Sequence, residues 1–118
     1  MNYNGCYDSV CETVEEASKK FGEAYKLKRD KQYFETVCSL IDSFVVENDC
    51  DSVDVSVDMV SKQLTIGIIC EDMIFENGRS NVFFSIITEI SSFSFSKSKG
   101  GGVQLALNID NVWEKACG

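Results

Sequence analysis

From Val53 to Met59 the chain reads Val-Asp-Val-Ser-Val-Asp-Met, apolar at every odd position and polar at every even one. Leu64 to Cys70 alternates again, with Leu64, Ile66, Ile68 and Cys70 on the apolar side. Successive side chains of a strand point to opposite faces, so each stretch predicts a strand half buried in a sheet. Val60-Ser61-Lys62-Gln63 between them predicts a tight turn. The pattern returns later. Phe93 and Phe95 alternate with Ser92, Ser94 and Ser96, and Val103, Leu105, Leu107 and Ile109 alternate with Gln104, Ala106 and Asn108. Gly100-Gly101-Gly102 supplies permissive backbone for a second hairpin turn. Strands with one wet face are typical of antiparallel sheets.

Ahead of the strands the period changes to that of a helix. Tyr7, Val10, Cys11, Val14, Ala17, Phe21, Ala24 and Tyr25 recur at spacings of three and four, predicting an amphipathic helix from Asp8 to Arg29 with Asp8 or Ser9 as N-cap. Its acids crowd the first half and its bases the second, which suits the helix dipole. Glu15 with Lys19 and Glu16 with Lys20 are i,i+4 pairs. A second helix, from about Asp30 to Glu47, places Phe34, Val37, Cys38, Ile41, Phe44 and Val45 on one stripe wide enough to cover a sheet, with Asp30 as N-cap. No proline separates the two, and one long helix is the alternative. After Cys70, Met73-Ile74-Phe75 either extends the second strand or forms a fifth. Asn77-Gly78 signals a turn, and Ser80 or Asn81 caps a third, strongly apolar helix carrying Val82, Phe83, Ile86, Ile87 and Ile90. The tail from Asp110 predicts one helical turn, with Trp113 as a lid on the core edge.

The expected fold is therefore α+β: an antiparallel sheet of two hairpins, four-stranded or five-stranded, in the order α-α-β-β-α-β-β, with helices on one face. Its 118 residues fit a single domain, residues 1–29 forming the N-terminal helix and residues 30–118 a helix plus a ββαββ core. This order resembles, in order alone, that of the small acidic secretion chaperones; no motif is shared.

Composition narrows the function classes. The net charge of −8 argues against direct nucleic-acid binding, which needs a basic footprint, and against docking on anionic lipid. The start of the chain lacks the basic and apolar regions of a signal peptide, and no apolar run approaches a membrane span. A cytoplasmic protein is expected. Six cysteines are scattered without a CxxC pair. They read as reduced thiols, some filling the core, with no zinc site and no cofactor.

No catalytic constellation emerges, and the chain is expected not to be an enzyme. There is no histidine to serve a serine or cysteine nucleophile. The acids at 49, 51 and 54 fail the calcium-loop pattern, because Val53 stands at the fifth position and no glycine follows. Lys97-Ser98-Lys99 before three glycines lacks the order of a phosphate loop.

Charge is the remaining feature. Glu47, Asp49, Asp51, Asp54 and Asp58 fall close together with no base among them. Solvated turn acids are the bland explanation. The functional one is a partner-binding row, with Asp54 and Asp58 roughly 13 Å apart along a strand. The expected function is a small acidic protein-binding module. Its sharpest form is a phage-type inhibitor that mimics nucleic acid in the basic groove of a nucleic-acid-binding enzyme. The alternative is a homodimeric chaperone or adaptor that holds a client on the sheet's second face. That face carries Ser56, Thr65, Gly67, Ser94 and Ala106, all small.

Overall fold

The computed structural model describes residues 5–48, 50–70, 85–89, 92–97 and 103–116, with backbone alone for residues 93, 95–97 and 103. Two helices precede the sheet. Helix α1 spans Tyr7–Phe21 and buries Val10, Val14 and Ala17. Helix α2 spans Lys31–Glu47 and buries all six residues of the expected stripe, Phe34, Val37, Cys38, Ile41, Phe44 and Val45. The Asp30 carboxylate accepts from the Tyr33 amide at 2.9 Å, capping one of the orphan donors at the start of α2.

α1 is shorter than its period suggests and begins after Cys6 rather than at Asp8 or Ser9. Helical geometry stops at Phe21, where Gly22 adopts φ +72°, a conformation open to glycine. A 3-10 turn at Gly22–Ala24 leads into strand β1, Tyr25–Leu27. The end of the chain explains the change. Strand β6, Trp113–Lys115, pairs antiparallel with β1, matching Leu27 with Trp113 and Tyr25 with Lys115. Two further bonds extend the ribbon, from the Lys28 amide to the Val112 carbonyl at 2.7 Å and from the Ala116 amide to the Ala24 carbonyl at 2.9 Å. Backbone groups that a longer helix would have paired internally are satisfied across the chain instead. The expected helical turn in the tail is thus a strand, while Trp113 does lie on the core, 7% exposed.

The main sheet contains β2 (Ser52–Asp58), β3 (Gln63–Cys70), β4 (Ser92–Lys97) and β5 (Val103–Ile109). Its order is β2-β3-β5-β4, antiparallel throughout. Both expected hairpins are present, and β3 with β5 forms the centre. Residues 85–89 are helical (α3), with Ile87 buried and Ile86 40% exposed. The rest of the third helix, Met73-Ile74-Phe75, the Asn77-Gly78 turn and the triglycine turn lie outside the described residues.

Leu64, Ile66 and Ile68 of β3 and Leu105, Leu107 and Ile109 of β5 are essentially inaccessible and share one core with α1 and α2. Val53, Val55 and Val57 are half-buried, and among the described residues β2 is an edge strand paired with β3 alone. The opposite face is polar. Ser56, Ser92, Ser94 and Gln104 are exposed, and Thr65 Oγ1 donates to Asn108 Oδ1 at 3.0 Å.

Cys50 and Cys70 are joined in a disulfide. This corrects the expectation of free thiols for that pair. The Asp51 amide donates to the Ile69 carbonyl at 2.7 Å, so the first hairpin itself brings the two cysteines together. Cys6, Cys11 and Cys38 are free, with Cys6 and Cys38 in the core. Among the described residues no helix is long and apolar enough to cross a membrane.

Candidate functional site

Among the described residues β2 has a neighbouring strand on one side, β3, and α1 packs beside it. On α1 the residues at 9, 12, 13 and 16 recur at helical spacing and so share one face. That face, Ser9, Glu12, Thr13 and Glu16, lines a groove of about 290 Å³ with Val53, Asp54 and Val55 of β2. Glu12, Glu16 and Asp54 are exposed, and no basic residue among the described ones lines the groove with them.

The sheet sets Asp54 apart from bulky neighbours. Its partner across β3 is Gly67, followed by Ala106 and Ser94 on the next two strands. With no side chain on Gly67 and short ones beyond, the flank of the Asp54 carboxylate is open. Like charges brought close together repel, and a cation placed among them relieves that repulsion. The described residues hold no cluster of three potential ligands arranged to take a metal ion. Ammonium and guanidinium groups are the cations that side-chain carboxylates commonly pair with.

The five acids singled out along the sequence have different fates. Glu47 ends α2 and is exposed. Asp49 lies outside the described residues. Asp51 is exposed ahead of β2. Asp54 enters the groove. Asp58 belongs to the hairpin turn: its Oδ1 accepts from the Val60 amide at 2.8 Å and the Ser61 amide at 3.0 Å. Those two donors hold its carboxyl below the usual carboxylate range. An aspartate two and three residues ahead of turn amides is an Asx-turn signal, and it was present in the sequence.

Glu12 and Glu16 carried a weaker signal. Their helical stripe with Ser9 and Thr13 is visible along α1, but its placement against β2 depends on packing between distant segments. Glu15, on another side of α1, bridges Lys19 at 3.6 Å as expected.

A second concavity, about 310 Å³, lies on that other side of α1. It is mainly apolar, lined by Val10, Val14, Leu27 and Phe34 with Arg29 and Lys31. Its charges are engaged locally: Arg29 stacks 4.7 Å from the centre of the Tyr33 ring, and Lys31 bridges Glu35 at 3.7 Å. The Tyr7 hydroxyl beside it is pushed up to about 12, chiefly by its hydrogen bond with Cys11. No protein-family model, curated protein or solved structure matches this chain, and its function is argued from its own residues.

Proposed function

We propose that the chain is a non-enzymatic protein-binding module whose groove between α1 and β2 takes a basic segment of a partner protein. The carrying observation is that Glu12 and Glu16 of α1 and the sequence-distant Asp54 of β2 line one groove without a base among its described lining residues. The overall charge of −8 supports this by steering a basic partner toward the molecule. In its most specific form the module is an inhibitor that occupies the nucleic-acid groove of an enzyme, the carboxylates standing where phosphates otherwise sit. Asp51 and Glu47 extend the acidic surface toward the end of α2, while Asp58 is withdrawn from it by the turn.

Titration with an arginine-rich peptide at several salt concentrations tests the groove. Changing Glu12, Glu16 and Asp54 together to Gln, Gln and Asn is expected to weaken binding about tenfold or more and to flatten its salt dependence. A control with Glu23, Glu35 and Glu89 neutralised changes net charge equally at exposed positions that do not line the groove. Equal weakening in both variants would show attraction to net charge alone and defeat the groove assignment.

A second reading is favoured by the open sheet face, where Ser56, Thr65, Gly67, Ala106 and Ser94 form a flat surface of small side chains. Such a face suits a second copy of the sheet or a client, as in a homodimeric chaperone or adaptor. Sedimentation of the wild type against Ser94→Arg separates this reading from the first, because a monomer at high concentration excludes the dimer.

A further inference from the structure

The start of α1 is anchored to α2 at one point. The Cys6 amide donates to Asp42 Oδ1 at 3.0 Å, and the Cys6 thiol donates to the Cys38 carbonyl at 3.9 Å. Both cysteines are 2% exposed and lie in the same core. The neighbouring Cys6 thiol and burial together push the Cys38 pKa up. Two buried cysteines thus lie side by side in one core, the thiol of one against the backbone of the other, in a protein that already joins Cys50 to Cys70.

We propose that Cys6 and Cys38 are a second disulfide site, closed by exchange with a small-molecule disulfide, which staples the start of α1 to the middle of α2. The chemistry balances without any further reagent. The Cys6 thiolate attacks one sulfur of the donor, such as oxidised glutathione, releasing one glutathione thiolate and leaving a mixed disulfide. The Cys38 thiolate then attacks the Cys6 sulfur and releases the second. Two protein thiols are oxidised, one donor disulfide is reduced to two thiols, and the two thiol protons leave with those products or to water.

Because the thiolate is the nucleophile and Cys38 is held as the thiol, closure in the folded protein is slow. It proceeds fastest while the chain folds and the site is still open to the donor. The staple fixes the first residue before α1, and α1 carries Glu12 and Glu16 on the wall of the acidic groove. Cys11, half-buried one helical turn further on, is left as a thiol.

The test is a disulfide map of the full chain, refolded in excess oxidised over reduced glutathione, alkylated in denaturant and digested without reduction. Cleavage before Asp8 separates Cys6 from Cys11. The expected map links the Cys6 and Cys38 peptides, retains the Cys50–Cys70 link as an internal control, and shows Cys11 alkylated. Cys6 and Cys38 both alkylated in molecules with Cys50–Cys70 intact would overturn the proposal, as would Cys38 linked to Cys11. In the oxidised protein Cys6→Ser and Cys38→Ser should each lower Tm by about 10 °C, and by much less after reduction. Equal shifts in both redox states would also overturn it. If either variant fails to fold, the wild-type map decides.

Discussion

The indole N–H of Trp113 donates to the Ser18 hydroxyl at 2.9 Å, across 95 positions of sequence. The Trp113 ring also meets the Phe21 ring edge to face, with centroids 5.0 Å apart. These two contacts close the β1–β6 ribbon onto the last turns of α1. Trp113→Phe keeps an aromatic ring there and removes the donor, so it should cost about 1 kcal/mol. Trp113→Ala removes the ring as well and should cost about 3–5 kcal/mol. Urea unfolding followed by far-ultraviolet circular dichroism measures both. Equal losses would mean that the hydrogen bond, and not the ring packing, holds the ribbon.

The sheet order makes a second comparison. Ile66 on β3 is wholly inaccessible between β2 and β5, whereas its register partner Val55 on edge strand β2 is half-buried. Ile66→Ala should cost about 2–5 kcal/mol. Val55→Ala should cost about 1 kcal/mol, because less apolar area is lost. The same unfolding titration applied to both variants checks the order. A larger loss at Val55 would require β2 to be central.

Asp58 supplies a pH dependence. Its folded pKa is depressed by the amides of Ser61 and Val60, so between the folded and unfolded values the unfolded chain binds more protons. Its contribution is therefore complete above the ordinary carboxylate pKa and disappears as pH falls through the depressed folded value. The urea midpoint of Asp58→Ala should lie below that of wild type at neutral pH, and the gap should close in acid. Asp58→Asn keeps an accepting oxygen for the turn and should lie between them at neutral pH. A gap that persists unchanged in acid would remove the carboxylate from the turn.

Much of the architecture follows from local pattern. The alternation at Val53–Val57 and Leu64–Cys70 assigns faces correctly because the period of two is a property of each strand by itself, whereas Met59, expected on the apolar face, falls in the turn and is exposed. Asp30 marks the start of α2 because a cap needs only the next three residues. The six-residue stripe on α2 is likewise a local fact of helix geometry.

What the sequence alone determined was thus the kind, order and faces of the main elements, together with the overall acidity. Tertiary structure decided the rest. The β1–β6 ribbon joins two three-residue segments far apart in the chain, too short for any period to show. It also overrode the continued helical spacing at Ala24 and Tyr25, once Gly22 released the chain from the helix. The Cys50–Cys70 link depends on hairpin register, which scattered cysteines do not reveal. The acidic groove arises only when α1 packs against β2, bringing Glu12 and Glu16 to the same groove as Asp54. Each of these depends on which segments meet. The shared burial of apolar side chains drives such meetings, and that burial is non-directional: it favours a core but does not name the polar groups carried together to its rim.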